Sequence, residues 1–229
     1  MKTIGLIGGT SWVSTIDYYR YINRMTNERV GRSASAKILL YSVNFEEFLP
    51  PADPKGWEER GQAFSTIAQT LERGGADCLL FCANTPHLLA ETVQSKIGIP
   101  LIHIAEATAK EIAQHKLTKV GLLGTKITME QPFYHEKLLN YGISAVTPDE
   151  NDRAYIHKNI FAELTKEIFT DETRRQYLDI IGMLKRQGAQ GIIFGCTEIP
   201  ILIKQSDLDI PAFDTTKIHA RAAVDFALG

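Results

Sequence analysis

Three cysteines in 229 residues, an odd number with no paired spacing, exclude a disulfide framework and point to free thiols in a reducing compartment. Basic charge is not in excess either. The 25 Lys and Arg face 27 Asp and Glu, for a net charge of −2, so there is no footprint for nucleic acid. No apolar run approaches the ~20 residues of a membrane span, and the start, MKTIGLIGGTSW, lacks the apolar region and small-residue cleavage site of a signal peptide. The expectation is a cytoplasmic protein with no membrane partner. The early glycines fall at Gly5, Gly8 and Gly9. That is not the dinucleotide fingerprint, which excludes a nicotinamide cofactor.

What is present is an α/β pattern. Hydrophobic content of 44% and charged content of 23% suit a soluble globular chain, and the length suits two domains of about a hundred residues. Thr3–Ile7 reads as a buried strand, Gly8 to Ser11 as a tight turn that also suits an anion, and 14–30 as a helix. Strands follow at 37–43, 78–82 and 99–103, with helices over 57–73 and 105–115 and a long loop over 44–56. The second half repeats the plan: TKVGLLGTKIT (118–128) echoes KTIGLIGGTS, and IPAFD (210–214) echoes IPLIH. Its strand at 143–146 is followed by helices over 151–169 and 173–187, and a closing helix runs over 216–228. The reading is two similar α/β halves with parallel four-stranded sheets, facing one another about a pseudo-two-fold axis with a cleft between them. The domains are 1–115, joined by the closing helix 215–229, and 116–214.

The stretch GAQGIIFGCTEIP puts Cys196 at the carboxyl end of a short buried strand and beside a helix N-terminus. Open α/β sheets bind ligands at strand ends, and a helix N-terminus lowers a thiol pKa. The other reading is a small apolar cysteine in the core. The internal repeat sharpens this. A constant offset of 113 residues carries Gly75 onto Gly188 and places Ala83 at the position of Cys196, with Cys82 one residue early. Two strand ends facing one another suit removal of a proton from one face of a carbon and its return on the other. Cys82 is out of register for that role, since a one-residue shift on a strand turns a side chain to the opposite face.

IGLIGGTSWVSTIDYY, CANTPH, LLGTKITMEQPFY, GCTEIP and FDTTKIHA together resemble the aspartate/glutamate racemase superfamily, in its aspartate and broad-specificity amino-acid branch. The resemblance runs from residue 3 to about 227. It implies two flavodoxin-like domains, usually in a homodimer, and racemisation of a small amino acid or dicarboxylate with neither pyridoxal phosphate nor metal, by two opposed cysteines. Cys196 matches one. The other position holds Ala83, and Cys82 is its neighbour rather than its match. The resemblance further implies that Thr10, Ser11, Asn84, Thr85, Thr125, Thr197 and Glu198 line the substrate, and that Lys166 meets a substrate carboxylate. The family's arginine in the loop after the second strand has no match here.

Each of these residues also has a structural reading. Asn84 and Thr197 are good helix caps, as is Asp214. Lys166 is an ordinary surface charge, His87 and His219 pack inside helices, and Glu198 either orients the Cys196 thiol or complements the helix dipole. With one thiol in place, three functions follow: a racemase whose second face is served by water, Thr85 or Cys82; a decarboxylase or lyase using one cysteine; or a non-catalytic dicarboxylate-binding protein.

Overall fold

Fully apolar runs of four to six residues, each followed by a glycine or a small polar residue, form the central strands. The computed structural model describes residues 1–229 and divides into two compact units, 1–103 with 219–229, and 104–218.

In the first unit, β1 (Thr3–Gly8), β2 (Lys37–Ser42) and β3 (Cys78–Phe81) form a parallel sheet in the order β2-β1-β3. Helices α1 (Trp12–Val30), α2 (Pro54–Arg73) and the short α3 (Ala90–Gln94) complete the α/β layers. Ile4, Leu6, Tyr18, Ile22, Cys78, Leu80 and Cys82 fill one side of the sheet, and Ile7, Phe64, Ala68, Leu79 and Phe81 the other. The sheet has three strands rather than the four expected. IPLIH contributes a single parallel bridge, Leu79 to Leu101, because only Leu79 N–H and C=O find partners there, at Pro100 and Ile102. The loop expected over 44–56 is shorter as well. Asn44 caps a 3-10 turn, Phe45–Phe48, and Asp53 caps α2, which starts at Pro54.

In the second unit, α4 (Ile104–Gln114) precedes β4 (Lys119–Gly124), α5 (Lys126–Glu130), α6 (Pro132–Leu139), β5 (Ser144–Val146) and α7 (Glu150–Ala162). Then come α8 (Asp171–Arg186), β6 (Ile192–Gly195), α9 (Ile199–Leu202), β7 (Ala212–Asp214) and α10 (Thr215–Leu228). The sheet is parallel in the order β5-β4-β6-β7. The sequence assigns helix 105–115 to the first domain, whereas α4 groups with the second unit, where the Tyr134 hydroxyl donates to Thr108 Oγ1 at 3.3 Å. The helix expected over 151–169 stops at Ala162. A 3-10 turn, Leu164–Lys166, follows and ends at Glu167 in the left-handed region (φ 59°). Only the start of α10 belongs to this unit. From His219 onward it packs in the first, with Ala220, Ala223, Val224 and Ala227 against the Ile4 and Leu6 side of the sheet.

Candidate active site

Four of the expected residues meet at the strand ends of the second unit. Gly124 of β4 pairs with Gly195 of β6, so Thr125 and Cys196 leave adjacent strands side by side. Both glycines are required. A Cβ on Gly124 would stand 2.8 Å from the Gly195 carbonyl, and one on Gly195 2.8 Å from the Leu123 carbonyl. Thr125 caps α5 by accepting from the Thr128 N–H, and its hydroxyl lies 3.1 Å from that of Thr128. On the other flank, β7 pairs with β6 as far as Phe194 and Asp214, and Thr215 Oγ1 donates to the Phe194 carbonyl at 2.8 Å.

The Cys196 thiol is buried and donates to Glu198 Oε2 at 3.0 Å, and the Thr197 hydroxyl donates to the same oxygen at 2.7 Å. Thr197 and Glu198 are buried with it. This overturns the expectation of a lowered thiol pKa. Burial first, then the charge of Glu198 and the hydrogen bond to it, push the Cys196 thiol well above its ordinary value. The backbone N–H groups of Thr197 and Glu198 act in the opposite direction, as a helix N-terminus should, and are outweighed. The helix in question, α9, spans only four residues. Thr197 is not a cap, since Glu198 is the residue preceding α9. Cys196 thus sits as a neutral thiol already aimed at the group that would take its proton.

The first unit gathers a second set. Gly9 has φ 87°, and a Cβ there would lie 2.1 Å from the Val43 carbonyl, so the turn after β1 admits only glycine. Thr10 follows, buried, with an Oγ1 that makes no hydrogen bond. Ser11 caps α1, and Ser14 Oγ donates to the Cys82 carbonyl at 2.9 Å, tying the start of α1 to the end of β3. Ala83 and Thr85 are half-buried there and Asn84 is buried. Asn84 makes no capping hydrogen bond to the 3-10 turn Thr85–Leu89, contrary to its structural reading.

Cys82 lies in the core cluster with Ile4, Leu6 and Tyr18, fully buried, and burial pushes its thiol up. Cys78 is buried too, and burial followed by the Asp77 charge raises its thiol to about 12. His87 donates through Nδ1 to the Ala83 carbonyl at 3.0 Å. His219 lies between the Tyr18 hydroxyl and the Ile102 carbonyl, 2.7 Å from each. Asp214 caps α10 by accepting from the Lys217 N–H at 3.1 Å. Lys166 is exposed, two residues beyond Leu164, which packs in the same cluster as Cys196.

Sequence reasoning passed over two features of the second unit. Thr216 is buried with an Oγ1 that makes no hydrogen bond, and the β6–β7 register carried two residues further places it level with Cys196. The echo of IPLIH in IPAFD marked that strand end without marking the hydroxyl. On the β4 side, His157 of α7 accepts the Lys126 N–H at Nδ1, 3.3 Å away. Nothing in a helix of mixed polarity distinguishes that histidine. No group of three or more His, Cys, Asp or Glu is arranged to hold a metal, and no helix is long and apolar enough to cross a membrane.

Residues 7–223 match the family described as Asp/Glu/hydantoin racemase. A solved structure of a candidate Asp/Glu racemase from Yersinia pestis is 46% identical, with full coverage of both chains and a TM-score of 0.93. That of an aspartate racemase homologue from Pyrococcus horikoshii OT3 is 36% identical, again with full coverage of both, at a TM-score of 0.87. The broad specificity amino-acid racemase RacX of Bacillus subtilis is 26% identical over 171 residues, which are 75% of this chain and 74% of that protein.

Proposed function

The chain belongs to the Asp/Glu/hydantoin racemase family, a family of isomerases, and on that premise we propose that it is a cofactor-independent amino-acid racemase with Cys196 as its acid/base. The observation that carries the reading is the Cys196–Glu198 contact: a buried thiol donating to a buried carboxylate at 3.0 Å, at the end of a parallel strand. On this reading the thiol proton passes to Glu198, and the thiolate then removes the Cα proton, re-forming the S–H bond. The electron pair left on Cα spreads into the substrate carboxylate, which needs several donors. Thr10, Ser11, Asn84, Thr85, Thr125 and Thr197 are proposed for that work, with Lys166 for a further contact to the same carboxylate. The orphaned hydroxyl of Thr10 supports the assignment, because a buried hydroxyl without a partner costs roughly 1–3 kcal/mol until a ligand supplies one.

The other face is where this chain departs from a two-thiol mechanism. Ala83 brings no titratable group, and Cys82 is packed among Ile4, Leu6 and Tyr18. Return of the proton there falls to water or to the Thr85 hydroxyl, so Cα proton exchange with solvent from the enantiomer that faces Cys196 outruns its inversion. The same feature favours a second reading, a lyase in which one thiol protonates a carbanion left by decarboxylation. Three free cysteines suit a cytoplasmic setting. An exposed stripe on α1, with Trp12, Ile16 and Tyr19 each more than half exposed, suits a homodimer surface.

Chiral separation of a panel of L- and D-amino acids after incubation tests the racemase reading. Interconversion of at least one pair is expected. Ala83→Cys should speed interconversion by about 10²-fold in both directions alike, the worth of one well-placed acid/base group between enantiomers of equal free energy. Absence of interconversion, with release of CO2 from a dicarboxylic acid, would select the lyase.

A further inference from the structure

A dicarboxylic amino acid presents a second anion, and the loop after β2 has no free cation to meet it. The arginine nearest that loop, Arg60 of α2, donates through its guanidinium to the Glu47 and Leu49 carbonyls and stacks on Phe48, its Cζ 4.6 Å from the ring centroid. Glu46 and Glu47 stand exposed on the same loop, and their charge is of the wrong sign.

The strand ends of the second unit are different. Lys126 directly follows Thr125, and Thr125 leaves β4 beside Cys196 on β6. Neighbouring strands are ~4.8 Å apart, so a substrate whose Cα stands at the Cys196 sulfur has its side chain within reach of a four-carbon lysine stem. The Lys126 side chain is exposed and makes no ion pair. Glu130, the acid on the same short helix, is engaged by Arg153 Nε at 2.9 Å. His157 completes the corner. Its Nδ1 accepts the Lys126 N–H, which leaves the ring proton on Nε2, and its ring packs edge-on against Phe161 with centroids 5.0 Å apart. Burial first, then the Lys126 charge, hold His157 in this neutral form, against the opposing effect of Glu130.

From this arrangement we infer that Lys126 and His157 form the subsite for the side-chain carboxylate of a dicarboxylic amino acid. Lys126 supplies the charge and His157 a neutral Nε2–H donor. The inference rests on the proposed substrate position at Cys196, and it makes both residues determinants of specificity rather than of the chemical step.

Isothermal titration of the full chain with L-aspartate and with L-alanine tests it. Lys126→Met should weaken aspartate about tenfold while alanine stays within twofold, and Lys126→Arg should bind aspartate nearly as the wild type does. His157→Phe keeps the ring against Phe161 and should weaken aspartate about threefold. Lys166→Met serves as the comparison and should do less than Lys126→Met. Equal affinity of wild type and Lys126→Met for aspartate would overturn the assignment. So would a parallel loss for alanine, or a wild type that binds neither amino acid. Lys126-dependent aspartate binding without any interconversion would instead remove the racemase reading and leave the subsite standing.

Discussion

Cys196→Ser lowers Cα proton exchange by three orders of magnitude or more, whereas Cys82→Ser changes it by less than threefold. The asymmetry follows from where the two sulfurs sit. Cys196 is held 3.0 Å from a carboxylate that can take its proton, and a serine hydroxyl there is too weak an acid to serve as the base at neutral pH. Cys82 lies in the core between β1 and α1, with no hydrogen-bonding carboxylate and a thiol that burial keeps protonated. Its loss is a packing change of about 1 kcal/mol, visible in stability rather than in rate. A rate assay on both variants, alongside urea unfolding, separates the effects. Cys82→Ser proving the more damaging to rate would refute the register argument that set it aside.

Stability falls on acidification below pH 6.5 by about 1.4 kcal/mol per pH unit for each of His87 and His219. Both rings are fully buried and hydrogen-bonded in their neutral form. His87 donates from Nδ1 to the Ala83 carbonyl, and His219 accepts the Tyr18 hydroxyl and donates to the Ile102 carbonyl. Burial lowers the His87 pKa to about 4, and burial, with the His87 charge, holds His219 well below its ordinary value. The folded state therefore binds fewer protons than the unfolded chain between pH 6.5 and about 4. The sign follows: their contribution is complete above 6.5 and is lost as pH falls through that window. His87→Phe keeps a ring edge-on to Phe81 and tilted against His103, whose centroids lie 5.3 and 4.8 Å away. It should remove about half of this histidine-dependent slope, read from urea midpoints at pH 7 and pH 5. An unchanged slope would show that His87 does not titrate as described.

Much of the architecture was legible in the residues because it depends on short-range pattern. Short apolar runs such as CLLF and IIFG are buried parallel strands, and the echo of KTIGLIGGTS in TKVGLLGTKIT matches β1 and β4, both inner strands of their sheets. What was not legible depends on how particular groups settle against one another. IPLIH and IPAFD look alike, yet only the second extends its pairing into a strand, with three residues matched to β6. The 151–169 helix breaks because Glu163, Leu164 and Thr173 settle differently: Leu164 turns into the core and Glu163 accepts from the Thr173 hydroxyl. The sign of the Cys196 pKa shift follows from burial and from the direction of the Glu198 side chain, and neither is written in GCTE. The Lys126–His157 corner joins residues 31 positions apart, which no local motif connects.

The central claim is that one thiol, Cys196, works on one face of the substrate carbon and no second thiol faces it. Proton NMR of separate L- and D-amino acids in deuterated water, with wild type and Cys196→Ser, measures this directly. The claim predicts loss of the Cα signal from one enantiomer at least tenfold faster than from the other, and no loss with Cys196→Ser. Equal loss from both enantiomers, or exchange that survives Cys196→Ser, would contradict it.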